Sequence, residues 1–203
     1  RRSGCRIALI LAFCLLASCM VWQCATSQNS KIRIPWFSIP QQPKGRIGLL
    51  VGHLGSDIGA SCDDGLREVD INLQIANMTA HLLEQRGYEV DLLEEFDPRL
   101  HGYRAEAFIA LHADSCLPHL HGFKVTGPTT RLVPDSNEKL VECLWACYES
   151  ETGLARQPAG ITKDMEQYHA FSRIDPTVPA VILEMGFLST DRRILVQKPK
   201  NAA

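Results

Sequence analysis

The chain has 203 residues, 45% of them hydrophobic and 22% charged, with a formal net charge of −2 at pH 7. Once an N-terminal segment is set aside, that is material for one compact domain with one core. Lys and Arg number 21 against 23 Asp and Glu; this balance provides no basic field for a phosphate backbone and argues against nucleic acid as a partner.

The N-terminus reads Arg1-Arg2-Ser3-Gly4-Cys5-Arg6 and then runs apolar from Ile7 to Trp22. A positive patch followed by such a run is the pattern of an export segment. The run is slightly short of the ~17–25 residues that span a bilayer as a helix. Three forms of export stay open: a lipoprotein with Cys19 of Leu16-Ala17-Ser18-Cys19 lipidated, an uncleaved membrane anchor, or a cleaved signal. Each places the remainder in the periplasm or cell envelope, and the first two tether it to a membrane. Residues 23–44 turn polar, carry Pro35, Pro40 and Pro43 and show no helical period, as a linker does. The expected organisation is therefore 1–22 signal or anchor, 23–44 linker and 45–203 domain. Because the sequence begins at Arg1 and stops soon after its last patterned strand, we expect further chain at both ends, including a closing helix.

Within the domain, 46–51 is a short apolar run ending in Gly52-His53, which predicts a buried strand entering a loop. Helical spacing of Val69, Leu73, Ala76, Ala80 and Leu83 predicts a helix over 67–86, stopped by Gly87. Strands are predicted at 88–93 and 107–111, separated by a polar stretch with room for a turn and a short helix, and a weaker strand at 122–126. Asp135 three residues before Glu138 suggests a capping box opening a helix over 136–152, with Gly153 beyond its end. The apolar side of that helix is Leu140, Cys143, Leu144 and Cys147. A last strand is predicted over 180–183. Alternating strands and helices imply an α/β domain, a three-layer α/β/α sandwich on a largely parallel sheet, with its chemistry where strands end in loops.

Four polar residues occupy such ends: His53 after the first strand, Glu68 opening the long helix, His112 after a middle strand and Glu184 after the last. Each has an ordinary reading alone. His53 beside glycine suits a solvated loop, Glu68 suits the positive end of a helix, and His112 suits a hydrogen-bonded core histidine. Glu184, directly after Val181-Ile182-Leu183, is costly at the edge of a core unless paired or used. Together they offer two imidazoles and a carboxylate, a set that holds a catalytic zinc and leaves a fourth position for water, plus a further carboxylate to act as a base.

The stretches around these residues carry a resemblance. Gly52-His53-Leu54-Gly55-Ser56-Asp57-Ile58-Gly59-Ala60, Glu68-Val69-Asp70-Ile71-Asn72-Leu73, Ala110-Leu111-His112-Ala113-Asp114-Ser115 and 179–189 resemble, in order, the motifs of the zinc amidases called amidase type 3. The resemblance covers the chain from Gly45 onward. It departs at Leu50-Val51, where the family often has Asp-Pro, and at Leu54, where it often has glycine. It implies one Zn2+ held by His53, Glu68 and His112, with Glu184 as the catalytic base. It also implies peptidoglycan as substrate, cut at the amide between the lactyl group of N-acetylmuramic acid and L-alanine. A monomeric catalytic domain is expected. Two other functions stay open: a zinc hydrolase of another amide or peptide, and a catalytically silent wall-binding module.

Cys62 and Cys116 flank two of the implied ligands on loops that such a fold brings together, and an exported protein is free to join them as a disulfide; two free thiols and direct zinc binding are the alternatives. Cys143 and Cys147, four apart on a helix, read as small core residues. His119 and His121 read as loop residues, and His169 as a surface or packing residue, with a place at the border of the substrate cleft as the alternative.

Overall fold

The computed structural model describes residues 43–203. The export segment, Cys19 and nearly all of the linker lie outside the described residues. Five strands form one sheet: β1 (Arg46–Val51), β2 (Glu89–Leu93), β3 (Ala107–Asp114), β4 (Lys124–Thr126) and β5 (Ala180–Phe187), in the order β2-β1-β3-β5-β4. The pairs β2–β1, β1–β3 and β3–β5 are parallel, and β4 closes the edge antiparallel to β5. Parallel strands are covered on both faces, which is why β1, β3 and β5 read as nearly continuous apolar runs.

Alternation along the strands divides the core. Val51, Leu111 and Leu183 face one side, where helix α1 (Glu68–Gln85) and helix α2 (Pro134–Thr152) pack with Ile75, Ala76 and Tyr148. Leu50, Ala110 and Ile182 face the other, covered by the short helical turns Pro98–Leu100 and His169–Ser172, by α3 (Lys163–Glu166) and by Ile174 and Val178. The three layers are those expected, with both long helices on one face. No helix among the described residues is long and apolar enough to cross a membrane.

Four details differ from the sequence-based expectation. β3 and β5 run on to Asp114 and Phe187, so His112 and Glu184 lie inside strands rather than after them. A polar residue ended the predicted strands, whereas the sheet continues because those side chains face the site. The buried face of α1 is Glu68, Ile71, Asn72, Ile75, Ala76 and Ala80, rotated from the apolar stripe because two polar members of that face serve the site. α2 starts at Pro134, whose fixed φ suits a first helical position; Asp135 therefore lies within the first turn and no side chain caps it. On α2, Leu140, Cys143, Leu144 and Cys147 are only half-buried.

Candidate active site

β1 delivers the chain to Gly52 and His53 at the C-terminal edge of the sheet. His53 takes φ 68°, the single left-handed non-glycine residue among those described. Such a conformation is costly and persists where surrounding contacts hold it; here its N–H donates to Glu95 Oε2 at 2.7 Å. The left-handed turn falls on His53 itself, so Leu54 needs no glycine-like freedom. Gly52 is needed for space: a Cβ there would lie 2.4 Å from Cε1 of His112. Gly59 is needed twice over, with φ +63° and a would-be Cβ 2.5 Å from Glu68 Oε2.

Glu68 occupies the first turn of α1, and its two oxygens divide the neighbourhood. Oε2 lies 3.2 Å from His53 Nε2 and accepts from the Ala60 N–H at 2.9 Å. Oε1 lies 3.0 Å from His112 Nδ1 and accepts from the Ala113 N–H at 3.2 Å and from Asn72 Nδ2 at 3.3 Å. The two imidazoles meet edge to face with centroids 5.0 Å apart. Ligand atoms of His53, Glu68 and His112 all lie within 4.8 Å of one another, a spacing that one small cation of the zinc type would bridge.

The far nitrogens of both imidazoles are also engaged. His53 Nδ1 lies 2.7 Å from Asp57 Oδ1. His112 Nε2 lies 3.1 Å from the Tyr168 hydroxyl, which donates to Glu95 Oε1 at 2.5 Å. His169 Nε2 reaches the same Glu95 oxygen at 2.7 Å. Glu184 stands in register with His112 on β3 and with Lys124 on β4. Its Oε2 is sealed from solvent and has no hydrogen-bond partner. Lys124 is buried and ion-paired to Asp114.

These surroundings separate the carboxyl groups. Burial pushes Glu184 up to about 7, against the partial relief of nearby His112. Burial alone would also raise Glu68, but the hydrogen bonds from His112, His53 and the Ala60 N–H outweigh it and hold the group well below the usual carboxylate range. Glu95 is likewise held below its ordinary value, its burial being outweighed by Tyr168, His112 and the His53 N–H. His53 is raised to about 9, first by its hydrogen bond to Glu68. The site thus contains ionised carboxylates next to one that is poised to gain or lose a proton near neutrality.

Cys62 and Cys116 form a disulfide. It ties the loop leading into α1 to the loop leaving β3, the segments on either side of Glu68 and His112. Cys143 and Cys147 are not joined, their sulfurs lying 3.7 Å apart. His119 and His121 are exposed and stand apart from the cluster. His169, read from sequence as a packing or surface residue, contributes to the network around Glu95. Sequence reasoning missed Glu95, Tyr168, Asp57 and Lys124. Glu95, two residues beyond β2 at the same edge of the parallel sheet, was the most discoverable of them.

Comparison with known proteins agrees with this architecture. The family model described as N-acetylmuramoyl-L-alanine amidase, amidase type 3, matches residues 47–199. No curated protein sequence matches. Among solved structures, the CwlD amidase from Clostridioides difficile in complex with the GerS lipoprotein is 21% identical with a TM-score of 0.61, covering 77% of this chain and 92% of that one. The amidase AmiC2 of Nostoc punctiforme is 21% identical with a TM-score of 0.58, covering 77% and 89%. Ami1 from Mycobacterium smegmatis is 15% identical with a TM-score of 0.60, covering 79% and 92%. These likenesses establish a common fold, and since the family model spans most of the chain, the protein belongs to the N-acetylmuramoyl-L-alanine amidases, the peptidoglycan amidases of type 3.

Proposed function

We propose that the chain is a zinc-dependent amidase with His53, Glu68 and His112 as the metal ligands and Glu184 as the general base. The observation that carries this reading is the convergence of two imidazoles and a carboxylate within 4.8 Å beside a carboxylate whose Oε2 has no partner. The donor set fits: a hard carboxylate and two neutral imidazoles suit Zn2+ and leave one position open. The bond cut is the amide joining the lactyl group of N-acetylmuramic acid to L-alanine in peptidoglycan.

When bound, zinc supplies a Lewis acid that makes water more acidic and polarises the scissile carbonyl. The protein's own part rests on Glu184. In its ionised form it takes a proton from the attacking water, and it then returns that proton to the amine of L-alanine as the C–N bond breaks. Its sealed Oε2 has no protein group to compete for the proton. Lys124 is held by Asp114 and does not bond to Glu184, and the effect of Asp114, which disfavours the ionised form, outweighs that of the ammonium. Glu68, held ionised by both histidines, does not compete for the role of base.

Peptidoglycan lies outside the cytoplasm, which supports export of the protein, and we read the segment over 1–22 as the means of export or tethering. The Cys62–Cys116 bond accords with an oxidising compartment.

Mass spectrometry of purified peptidoglycan incubated with the zinc-loaded full chain tests the assignment. Release of stem peptides beginning with L-alanine by the native protein, and not by Glu184→Gln, is the expected result. No release by a folded, zinc-loaded chain points to another amide or to a silent wall-binding module.

A further inference from the structure

Glu95 belongs to no motif of the family resemblance, yet it is 6% exposed and lies against the proposed metal site. It receives three donors from two parts of the chain. Oε2 accepts from the His53 backbone N–H at 2.7 Å, while Oε1 takes the Tyr168 hydroxyl at 2.5 Å and His169 Nε2 at 2.7 Å. A carboxylate so surrounded is an acceptor only, which fixes the direction of every bond beyond it. The Tyr168 proton points to Glu95, so the Tyr168 oxygen must accept from its other neighbour, His112 Nε2, at 3.1 Å. Nδ1 of His112, 3.0 Å from Glu68 Oε1, also faces an acceptor, so it is the nitrogen whose proton a metal held by Glu68 would replace, while the Nε2 proton stays directed at Tyr168. His169 fits the same assignment, since its Nδ1 is buried without a partner.

We propose that Glu95, acting through Tyr168, is a positioning residue that keeps a proton on His112 Nε2 and so leaves Nδ1 to the metal. The same carboxylate fixes the left-handed backbone of His53, so one buried group orients both histidine ligands. A chain from imidazole through hydroxyl to carboxylate is an outer shell of the kind that sets ligand orientation in zinc sites, and its loss typically weakens metal binding by roughly 10–100-fold. This inference rests on the reading of His112 as a zinc ligand.

Two measurements test it. Nitrogen-15 NMR of the histidines in the full chain, with and without one equivalent of zinc, should show His112 protonated on Nε2 in both states and zinc on Nδ1. Zinc on Nε2, or a metal-free His112 that lacks the Nε2 proton, overturns the proposal while leaving the zinc reading intact. Chelator competition at fixed pH should then show zinc affinity about 10–100-fold weaker in Tyr168→Phe and in Glu95→Gln. Undiminished affinity in either folded variant also overturns it. The spectrum of the unaltered protein decides the matter even where a variant fails to fold. Absence of zinc binding by the unaltered chain sinks the metal assignment itself, a separate result from the wrong nitrogen.

Discussion

His112 and Glu184 are direct partners across β3 and β5, so backbone hydrogen bonds of the sheet fix a proposed metal ligand and the proposed base relative to one another. Neither residue depends on a loop for its position. The geometry needed for proton transfer beside the proposed metal is therefore built into two neighbouring inner strands of the sheet.

Glu184→Gln keeps the shape of the side chain and removes its ability to take a proton. Peptidoglycan hydrolysis should fall about 10²–10⁴-fold, the usual contribution of a general base. Zinc content, measured by atomic absorption, should stay at the level of the unaltered protein. A variant that loses zinc as well assigns Glu184 to the ligand set.

The same carboxyl group should shape the pH profile. Burial raises it from 4.5 to about 7, and only the ionised form is a base. The acid limb of kcat/KM should therefore fall at or below about pH 7, since a bound cation favours the carboxylate, and Glu184→Gln should lack that limb. A raised acid stabilises the fold fully below its unfolded value, and this contribution is lost as pH rises through about 7. In the metal-free protein Glu184→Gln should thus be neutral at pH 4 and stabilising at pH 8, by up to about 3 kcal/mol. Urea unfolding at the two values measures it.

Removal of zinc by a chelator should abolish hydrolysis and lower the thermal midpoint. A metal that binds only the folded chain stabilises it by about 4 kcal/mol when present at a thousand times its dissociation constant. His53→Ala and His112→Ala should each lose both effects. Midpoints scanned with and without zinc for the three proteins check this, and a zinc-dependent shift surviving in His112→Ala counts against its role.

Gly52→Ala should cost activity with little change in secondary structure. The new methyl would meet the His112 ring at 2.4–2.6 Å, which forces the imidazole away from Glu68. Activity assays beside circular dichroism separate this displacement from unfolding.

Breaking the disulfide should destabilise the protein without removing any proposed ligand. Cys62 and Cys116 are 54 residues apart, and closing a loop of that length restricts the unfolded chain by about 4 kcal/mol in the entropy model. The double variant Cys62→Ser with Cys116→Ser should unfold at lower urea and retain zinc-dependent hydrolysis under native conditions.

The sequence alone carried a good deal. The apolar runs of β1, β3 and β5 declared buried parallel strands, because strands covered on both faces need little alternation. Gly87 and Gly153 marked helix ends through a backbone freedom that other residues lack. His53, Glu68, His112 and Glu184 drew notice because they stand at the ends of predicted elements, and Glu184 above all because a carboxylate at the edge of an apolar run is costly unless paired or used.

Tertiary structure decided the rest. Polar side chains ended the predicted strands at 111 and 183, while hydrogen bonding between β3 and β5 continued past them. Glu68 and Asn72 lie on the core face of α1 because the site lies there, which a count of apolar spacing does not reveal. Glu95, Tyr168 and His169 are separated by up to 74 residues, and no local pattern joins them. Their hydrogen bonds exist only once β2 and the turn after α3 reach the same edge of the sheet. Local propensity and cost are written along the chain; the partner of a buried polar group is chosen by the fold.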